Sequence, residues 1–97
     1  MIHVHDIFIC KPGQASKFAK LCKEVMAKDE NLIHIMTDMT GQFNKVVMVS
    51  KYETLAAYEQ SFQKYMQDSE EMKEMKEKMK GYQEMYLTGS REIFQVW

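Results

Sequence analysis

Residues 46–49, Val-Val-Met-Val, form an uninterrupted apolar run. They lie within residues 40–59, where a turn over residues 40–44 precedes them and an amphipathic helix follows from near Thr54. A short run of mostly β-branched residues bounded by turn signals predicts a strand. Because successive side chains in a strand point to opposite faces, this strand is apolar on both faces and needs cover on both.

Two other predicted strands share this property. A first strand is predicted over Ile2–Cys10 and a second over Leu32–Thr37. Apolar residues on both faces are Ile7, Phe8 and Ile9 in the first strand, and Leu32, Ile33, Ile35 and Met36 in the second. Helices cover one face of such a sheet, so the other would be an exposed apolar patch. We therefore predict a homodimer in which a second copy covers the open sheet face.

A helix is predicted between these two strands. Pro12 and Gly13 end the first strand, since proline cannot donate to the ladder and glycine allows a sharp turn. Apolar residues then recur at three- and four-residue spacing, which predicts one buried helix face. They are Ala15, Phe18, Ala19, Cys22, Val25 and Met26.

The C-terminal half predicts a helical region, continuous or broken in two, and a closing strand. Thr54 is predicted to cap the start of this region, and Asp68 with Glu71 has the spacing of a capping box for a second helix. The apolar stripes are Leu55, Tyr58, Phe62, Tyr65 and Met66, and then Met72, Met75, Met79, Tyr82 and Tyr86. A turn at residues 88–90 is predicted to lead into a last strand over residues 91–97.

With a third strand over Lys45–Tyr52, the predicted order is strand, helix, strand, strand, helix, strand. This is the ferredoxin-like βαββαβ arrangement of the α+β class, a four-stranded antiparallel sheet with helices on one face. The length fits a single domain over residues 1–97. Two copies joined through their open sheet faces would form a homodimeric α+β barrel.

Composition and charge limit the partners that we expect. The net charge is −1, from 13 basic and 14 acidic residues, so we predict no nucleic-acid partner. No apolar run approaches the roughly 18 residues that span a bilayer, so we predict no membrane partner. Asp6 stands where an export signal would be basic, and Cys10 and Cys22 suggest no disulfide framework. We therefore expect a cytoplasmic protein with two reduced thiols.

The three histidines are candidates for chemistry. His3 and His5 lie two residues apart on the first strand and point the same way, while His34 lies on the second strand. Zinc sites need three or four ligands, and the third strand is expected to separate the first two. We therefore predict neither a metal nor another cofactor. A neutral imidazole at His5 or His34 would act as a base or hydrogen-bond donor in a pocket, or would be a structural, hydrogen-bonded histidine.

Arg91 and Tyr58 are candidates for holding a ligand. The guanidinium of Arg91 would bind an anionic or carbonyl group at the mouth of a pocket, or would form a surface ion pair of little energetic value. Tyr58 would place its phenol in the same pocket or in the core. Met72, Met75 and Met79 have spacings that suit Cu(I), but core packing is favoured, and flexible methionines also suit an adaptable apolar pocket.

Three segments resemble the NIPSNAP-like branch of the dimeric α+β barrel superfamily. They are residues 11–13 (Lys-Pro-Gly), the hairpin and helix from residue 40 to residue 59, and residues 89–94 (Gly-Ser-Arg-Glu-Ile-Phe). Gln42 and Asn44 replace the proline and glycine typical of the turn. The superfamily includes antibiotic-biosynthesis-type monooxygenases and haem-degrading enzymes. The latter use a helical histidine as iron ligand, and no histidine here lies on a predicted helix.

The resemblance implies a small-molecule-binding dimer with a pocket between the sheet and the helices. Its ligand would be an apolar small molecule held by His5, His34, Tyr58 and Arg91. One alternative is a cofactor-independent monooxygenase acting on an apolar organic substrate, with His34 or His5 handling protons. The other is a non-catalytic structural or stress-responsive dimer.

Overall fold

The computed structural model describes residues 1–66 and 69–97. The strands are β1 (Ile2–Cys10), β2 (Leu32–Thr37), β3 (Lys45–Tyr52) and β4 (Tyr86–Gln95). The helices are α1 (Ala15–Val25), α2 (Leu55–Met66) and α3 (Glu70–Lys78), and a 3₁₀ turn covers Tyr82–Glu84. The predicted bounds of the first three strands are confirmed.

All four strands form one antiparallel sheet in the order β2-β3-β1-β4. Val4 in the central strand β1 lies opposite Ser50 of β3 on one side and Ile93 of β4 on the other. Strand β3 separates β1 from β2, as the sequence predicts. This is the ferredoxin-like topology, so the predicted fold class is confirmed.

The core lies between the sheet and α1. Phe18 and Cys22 of α1 are buried against Cys10 of β1 and Val46 of β3. The ring of Phe18 lies 4.8 Å from the ring of Phe8, centroid to centroid. The predicted apolar stripe of α1 is therefore the stripe that forms the core. Both cysteines are buried and free.

The sheet has a covered face and an open face. Phe8, Cys10, Val46 and Met48 pack with α1, so the alternate residues of their strands point away from the helices. The open face consists of His3, His5, Ile7 and Ile9 of β1, His34 and Met36 of β2, Lys45, Val47, Val49 and Lys51 of β3, and Thr88, Ser90, Glu92 and Phe94 of β4. It is the face on which the sequence predicts a second copy.

The starts of α2 and α3 have side-chain caps. The hydroxyl of Thr54 accepts a hydrogen bond from the amide of Ala57 at 3.1 Å, which confirms the predicted cap. The hydroxyl of Ser69 accepts one from the amide of Met72 at 3.2 Å and starts α3. The capping box predicted on Asp68 lies outside the described residues.

The predicted boundaries after α3 are wrong. The last strand is predicted to begin at Arg91, but β4 begins at Tyr86. The apolar stripe to Tyr86 leaves the end of the helix open at Gly81, and α3 ends at Lys78. Gly81 adopts φ +84°, a left-handed conformation that ends the helical path. Residues 88–90 are extended because they pair with β1, and this pairing overrides their local preference for a turn.

None of the helices in the described part of the chain is both long enough and apolar enough to cross a membrane.

Candidate functional site

Arg91 and Tyr58 come together on the covered face. Arg91 lies opposite Asp6 on the neighbouring strand, and its Nε donates a hydrogen bond to Oδ1 of Asp6. The guanidinium carbon lies 5.7 Å from the ring centroid of Tyr58 and 5.6 Å from that of Phe62, within the range of cation–π attraction. We call Asp6, Tyr58, Phe62 and Arg91 the arginine cluster.

The electrostatics of the arginine cluster keep its arginine charged and its phenol neutral. The hydrogen bond that Arg91 donates to Asp6 raises the pKa of Arg91. Burial raises the pKa of Tyr58, and the nearby charge of Arg91 only partly opposes this. The hydroxyl of Tyr58 is buried and has no hydrogen-bond partner of normal geometry among the described residues. Its oxygen lies next to the guanidinium of Arg91, and a loose hydrogen bond between the two lowers the pKa of Tyr58.

A cleft of about 290 Å³ lies beside the arginine cluster, between the helices and the end of β3. Its walls come from the C-terminal end of α1, from α2 and from α3. The side chains that give it chemical character are Met26, Tyr52, Ser61, Tyr65, Met72 and Met75. Its rim carries charges of both signs, including Lys78 of α3, whose Nζ lies 3.6 Å from Oε1 of Glu24 on α1. The cleft is therefore apolar and aromatic inside and charged at its edge.

One end of the cleft is fixed by a hydrogen bond between Tyr65 and Asp29. The phenol of Tyr65 donates to Oδ2 of Asp29 at 2.7 Å, and the amide of Asn31 donates to Oδ1 at 2.8 Å. Burial and the adjacent carboxylate raise the pKa of Tyr65, so its phenol stays protonated. The sulfur of Met26 lies 3.9 Å from the same phenol oxygen. This end is thus preorganised by residues from α2 and from the loop between α1 and β2.

Tyr52 forms the boundary between the cleft and the arginine cluster. It lines the cleft, and its ring lies 5.0 Å from the ring of Tyr58. Burial raises the pKa of Tyr52, whereas a hydrogen bond with Ser61 lowers it. The two regions therefore share an aromatic wall without sharing a cavity.

The four predicted ligand-binding residues fall into two pairs on opposite faces of the sheet. Tyr58 and Arg91 lie on the covered side, whereas His5 and His34 lie on the open face. His34 and His5 both pair with Val49, from either side, so a strand separates them. The ring of His5 lies 5.1 Å from that of Phe94. The structure therefore does not bring the four residues to one cavity.

The histidines and methionines that the sequence offers as metal ligands lie in separate parts of the structure. Across residues 1–66 and 69–97, no three His, Cys, Asp or Glu side chains are grouped closely enough to hold a metal ion. Met72 is buried, and both Met72 and Met75 line the cleft. The methionine stripe thus contributes to packing and also to a cleft wall.

Sequence reasoning missed the partner of Arg91. Asp6 is a single acidic residue within the apolar strand β1, and its alternation with Phe8 places it on the covered face. A lone carboxylate on that face predicts a cationic partner, since a buried charge needs one. The roles of Tyr52, Ser61 and Asp29 carried no such signal, because their cleft is formed by four separate segments.

Several solved structures have the same fold. An uncharacterized NIPSNAP-like domain protein from Burkholderia xenovorans superposes with a TM-score of 0.80 at 20% identity, over 99% of this chain and 84% of that one. A NIPSNAP family protein from Agrobacterium tumefaciens gives a TM-score of 0.76 at 16% identity, over 97% and 90% of the two chains. This chain shares the fold of NIPSNAP proteins. The predicted fold resemblance is thereby confirmed.

A more distant likeness of fold was found to a further solved structure. A putative antibiotic biosynthesis monooxygenase from Deinococcus radiodurans gives a TM-score of 0.59 at 7% identity, over 100% of this chain and 93% of that one. At such identities the likeness concerns the fold alone. No protein-family model and no curated protein matches the sequence.

Proposed function

We propose that this protein binds a small organic molecule with a mainly apolar body in the cleft between its helices and its sheet. The observation that carries the proposal is the lining of that cleft, where aromatic rings and thioethers surround about 290 Å³. Pockets of this kind bind ligands by burying apolar surface, and a few polar groups orient the ligand. Methionine side chains adapt to different ligand shapes.

The polar groups of the cleft favour an uncharged ligand that carries an oxygen atom. Tyr52 and Tyr65 present phenols whose pKa values are raised, so they are neutral hydrogen-bonding groups at physiological pH. Ser61 adds a hydroxyl that donates to the backbone carbonyl of Tyr58. Asp29 already accepts two hydrogen bonds, so its carboxylate needs no cationic ligand group. The hydroxyl hydrogens of Tyr65 and Ser61 are already donated to Asp29 and to the carbonyl of Tyr58, so Tyr52 is the donor for a carbonyl or hydroxyl oxygen on the ligand.

The proposal includes assembly as a homodimer through the open face. Met36 and Phe94 are 44% and 48% exposed on this face, and Ile7, Ile9 and Val47 lie between them only half-buried. A second copy would bury this apolar surface and join the two sheets into a barrel. In such a dimer, His5 and His34 would lie in the interface. The free buried thiols suit a cytoplasmic protein.

A cofactor-independent monooxygenase is the second candidate, supported by the fold likeness to the putative Deinococcus enzyme. His5 and His34 are the residues proposed to handle protons, and both face away from the cleft. This candidate therefore places its substrate on the open face, between the two sheets of a dimer. The third candidate, a non-catalytic structural or stress-responsive dimer, needs no ligand at either place.

A thermal-shift screen with cleft-directed variants tests the proposal. Ser61→Phe puts a large side chain into the cleft, whereas Gln63→Phe makes the same addition to an exposed position of α2. Uncharged apolar carbonyl compounds should raise the Tm of the wild type and of Gln63→Phe, and should leave that of Ser61→Phe unchanged. No stabilisation of the wild type by any compound would count against the cleft and favour the non-catalytic candidate. Oxygen consumption that requires His5 would favour the monooxygenase.

A further inference from the structure

Arg91, the one arginine of this chain, is bound to Asp6 on one side and half exposed. Nε of Arg91 donates a hydrogen bond to Asp6. The two aromatic rings beside the guanidinium, those of Tyr58 and Phe62, belong to α2. The guanidinium also approaches the hydroxyl of Tyr58, without a hydrogen bond of normal geometry, and the side chain of Arg91 is 47% exposed. The guanidinium is thus fixed in place on one side and open on the other.

Apolar surface surrounds this open end. Leu55 is 60% exposed and Phe62 is 40% exposed, and with Tyr58 they follow the three- and four-residue spacing of one side of α2. Ile93 is 44% exposed and lies two residues after Arg91, so it is on the same face of β4. These residues form a shelf between α2 and β4, with the guanidinium in the middle.

We propose that this shelf, centred on Arg91, is a second binding site, for a carboxylate joined to an apolar body. The carboxylate would accept hydrogen bonds from the two Nη groups, which match its two oxygens. Leu55, Phe62 and Ile93 would cover the apolar body.

The local charge favours a singly charged anion. Asp6 is only 14% exposed and already offsets the charge of Arg91, so the cluster as a whole is neutral. A doubly charged phosphate would be repelled by Asp6, and the arginine cluster has no second cation to offset this repulsion. A carboxylate carries one negative charge and needs only the two Nη groups. This site lies on the other side of Tyr52 from the cleft, so it goes beyond the proposed function and does not depend on it.

The side-chain Nε–Hε signal of Arg91 in a proton–nitrogen NMR spectrum tests the site, because a chain with one arginine gives one such signal. We expect octanoate to shift it saturably, and octan-1-ol, with the same body but no charge, to bind roughly ten- to a hundredfold more weakly. Methyl signals of Met26 and Met75 report binding in the cleft from the same sample. Octanoate that moves only those methyl signals, or octanol that binds as well as octanoate, would overturn the proposal.

Matched variants separate the site from general charge effects. Arg91→Met should weaken octanoate binding by a similar factor, and Asp6→Asn/Arg91→Met should bind as weakly while leaving no unpaired carboxylate. Lys17→Met removes one positive charge from the exposed side of α1 and should bind as the wild type does. For the two arginine variants, binding is followed by the backbone amide signals of β4. Wild-type affinity in the double variant would refute the role of Arg91.

Discussion

Asp6 and Arg91 are cross-strand partners whose ion pair lies under α2, on the covered face of the sheet. A carboxylate with only 14% exposure needs a cationic partner, and Arg91 supplies it. The same guanidinium packs against the rings of Tyr58 and Phe62. The pair thereby links the edge strand β4 to a helix that has no fully buried residue.

Replacing Asp6 should reveal this link. Asp6→Ala should lower the free energy of unfolding by about 1 kcal/mol, because Arg91 is half exposed and water screens the loss. A double-mutant cycle with Arg91→Met, followed by urea denaturation, should give a coupling of about 0.5 kcal/mol or more. Strictly additive effects would mean that the ion pair does not contribute to stability.

The core depends on Phe18 far more than on exposed phenylalanines. Phe18→Ala should lower the free energy of unfolding by about 3–5 kcal/mol, because the ring is 1% exposed and its loss leaves a cavity beside Cys10 and Val46. Phe43→Ala at the hairpin tip, where the ring is 89% exposed, is the matched control and should change it by less than about 0.5 kcal/mol. Equal losses in urea titrations would contradict this core.

Alkaline pH should destabilise the fold through Cys22. Burial, and then the neighbouring Cys10, raise the pKa of Cys22 from 9.0 to about 11. Below pH 9 the thiol is neutral in both states, so its contribution is fully present. Between pH 9 and about 11 only the unfolded state loses the proton, and the free energy of unfolding should fall by up to about 3 kcal/mol.

Urea denaturation across this pH range measures the effect. The difference in the free energy of unfolding between the wild type and Cys22→Ala should narrow as the pH rises, because the variant lacks the titrating thiol. The buried tyrosines are present in both proteins, so their titration cancels in this difference. A difference independent of pH would show that Cys22 does not titrate as described. In the native protein at pH 8, both buried thiols should also react slowly with a disulfide reagent.

A charge on the open face should disrupt the proposed dimer. Ile7→Glu places a carboxylate in the middle of this face, beside Val47 and Ser90, where a second copy would have to desolvate it. Light scattering should show the wild type as a dimer at micromolar concentration and the variant as a monomer. Met66→Glu alters a side chain of α2 that is 82% exposed, and should leave the dimer intact. A wild-type monomer would refute assembly through this face.

Much of the fold was predictable because local patterns and tertiary structure agree. The apolar run in β3, the stripe of α1 and the cap at Thr54 each have the structure that their spacing indicates. The sequence left the end of α3 open, because the methionine and tyrosine spacing continues past Gly81 although that glycine weakens the helix. Residues 88–90 were mispredicted because pairing with β1 determines their conformation.

The candidate site was predictable only in part. Tyr58 and Arg91 were identified from their residue types and from the resemblance, and the structure places them side by side. The sequence could not show that His5 and His34 face the other way, because face assignment depends on which side the helices cover. The cleft depends on Tyr65 meeting Asp29 across 36 positions, and no local pattern encodes that contact.

Methionine methyl NMR measures directly whether the cleft between the helices and β3 binds a small apolar molecule. Met26, Met72 and Met75 line the cleft, whereas Met39, at 93% exposure on the hairpin, and Met36, on the open face, are internal controls. Titration with an uncharged apolar carbonyl compound that raises the Tm should shift the three cleft signals saturably and leave the controls unmoved. Shifts confined to Met36 or Met39, with the cleft signals unchanged, would show that the compound binds outside the cleft.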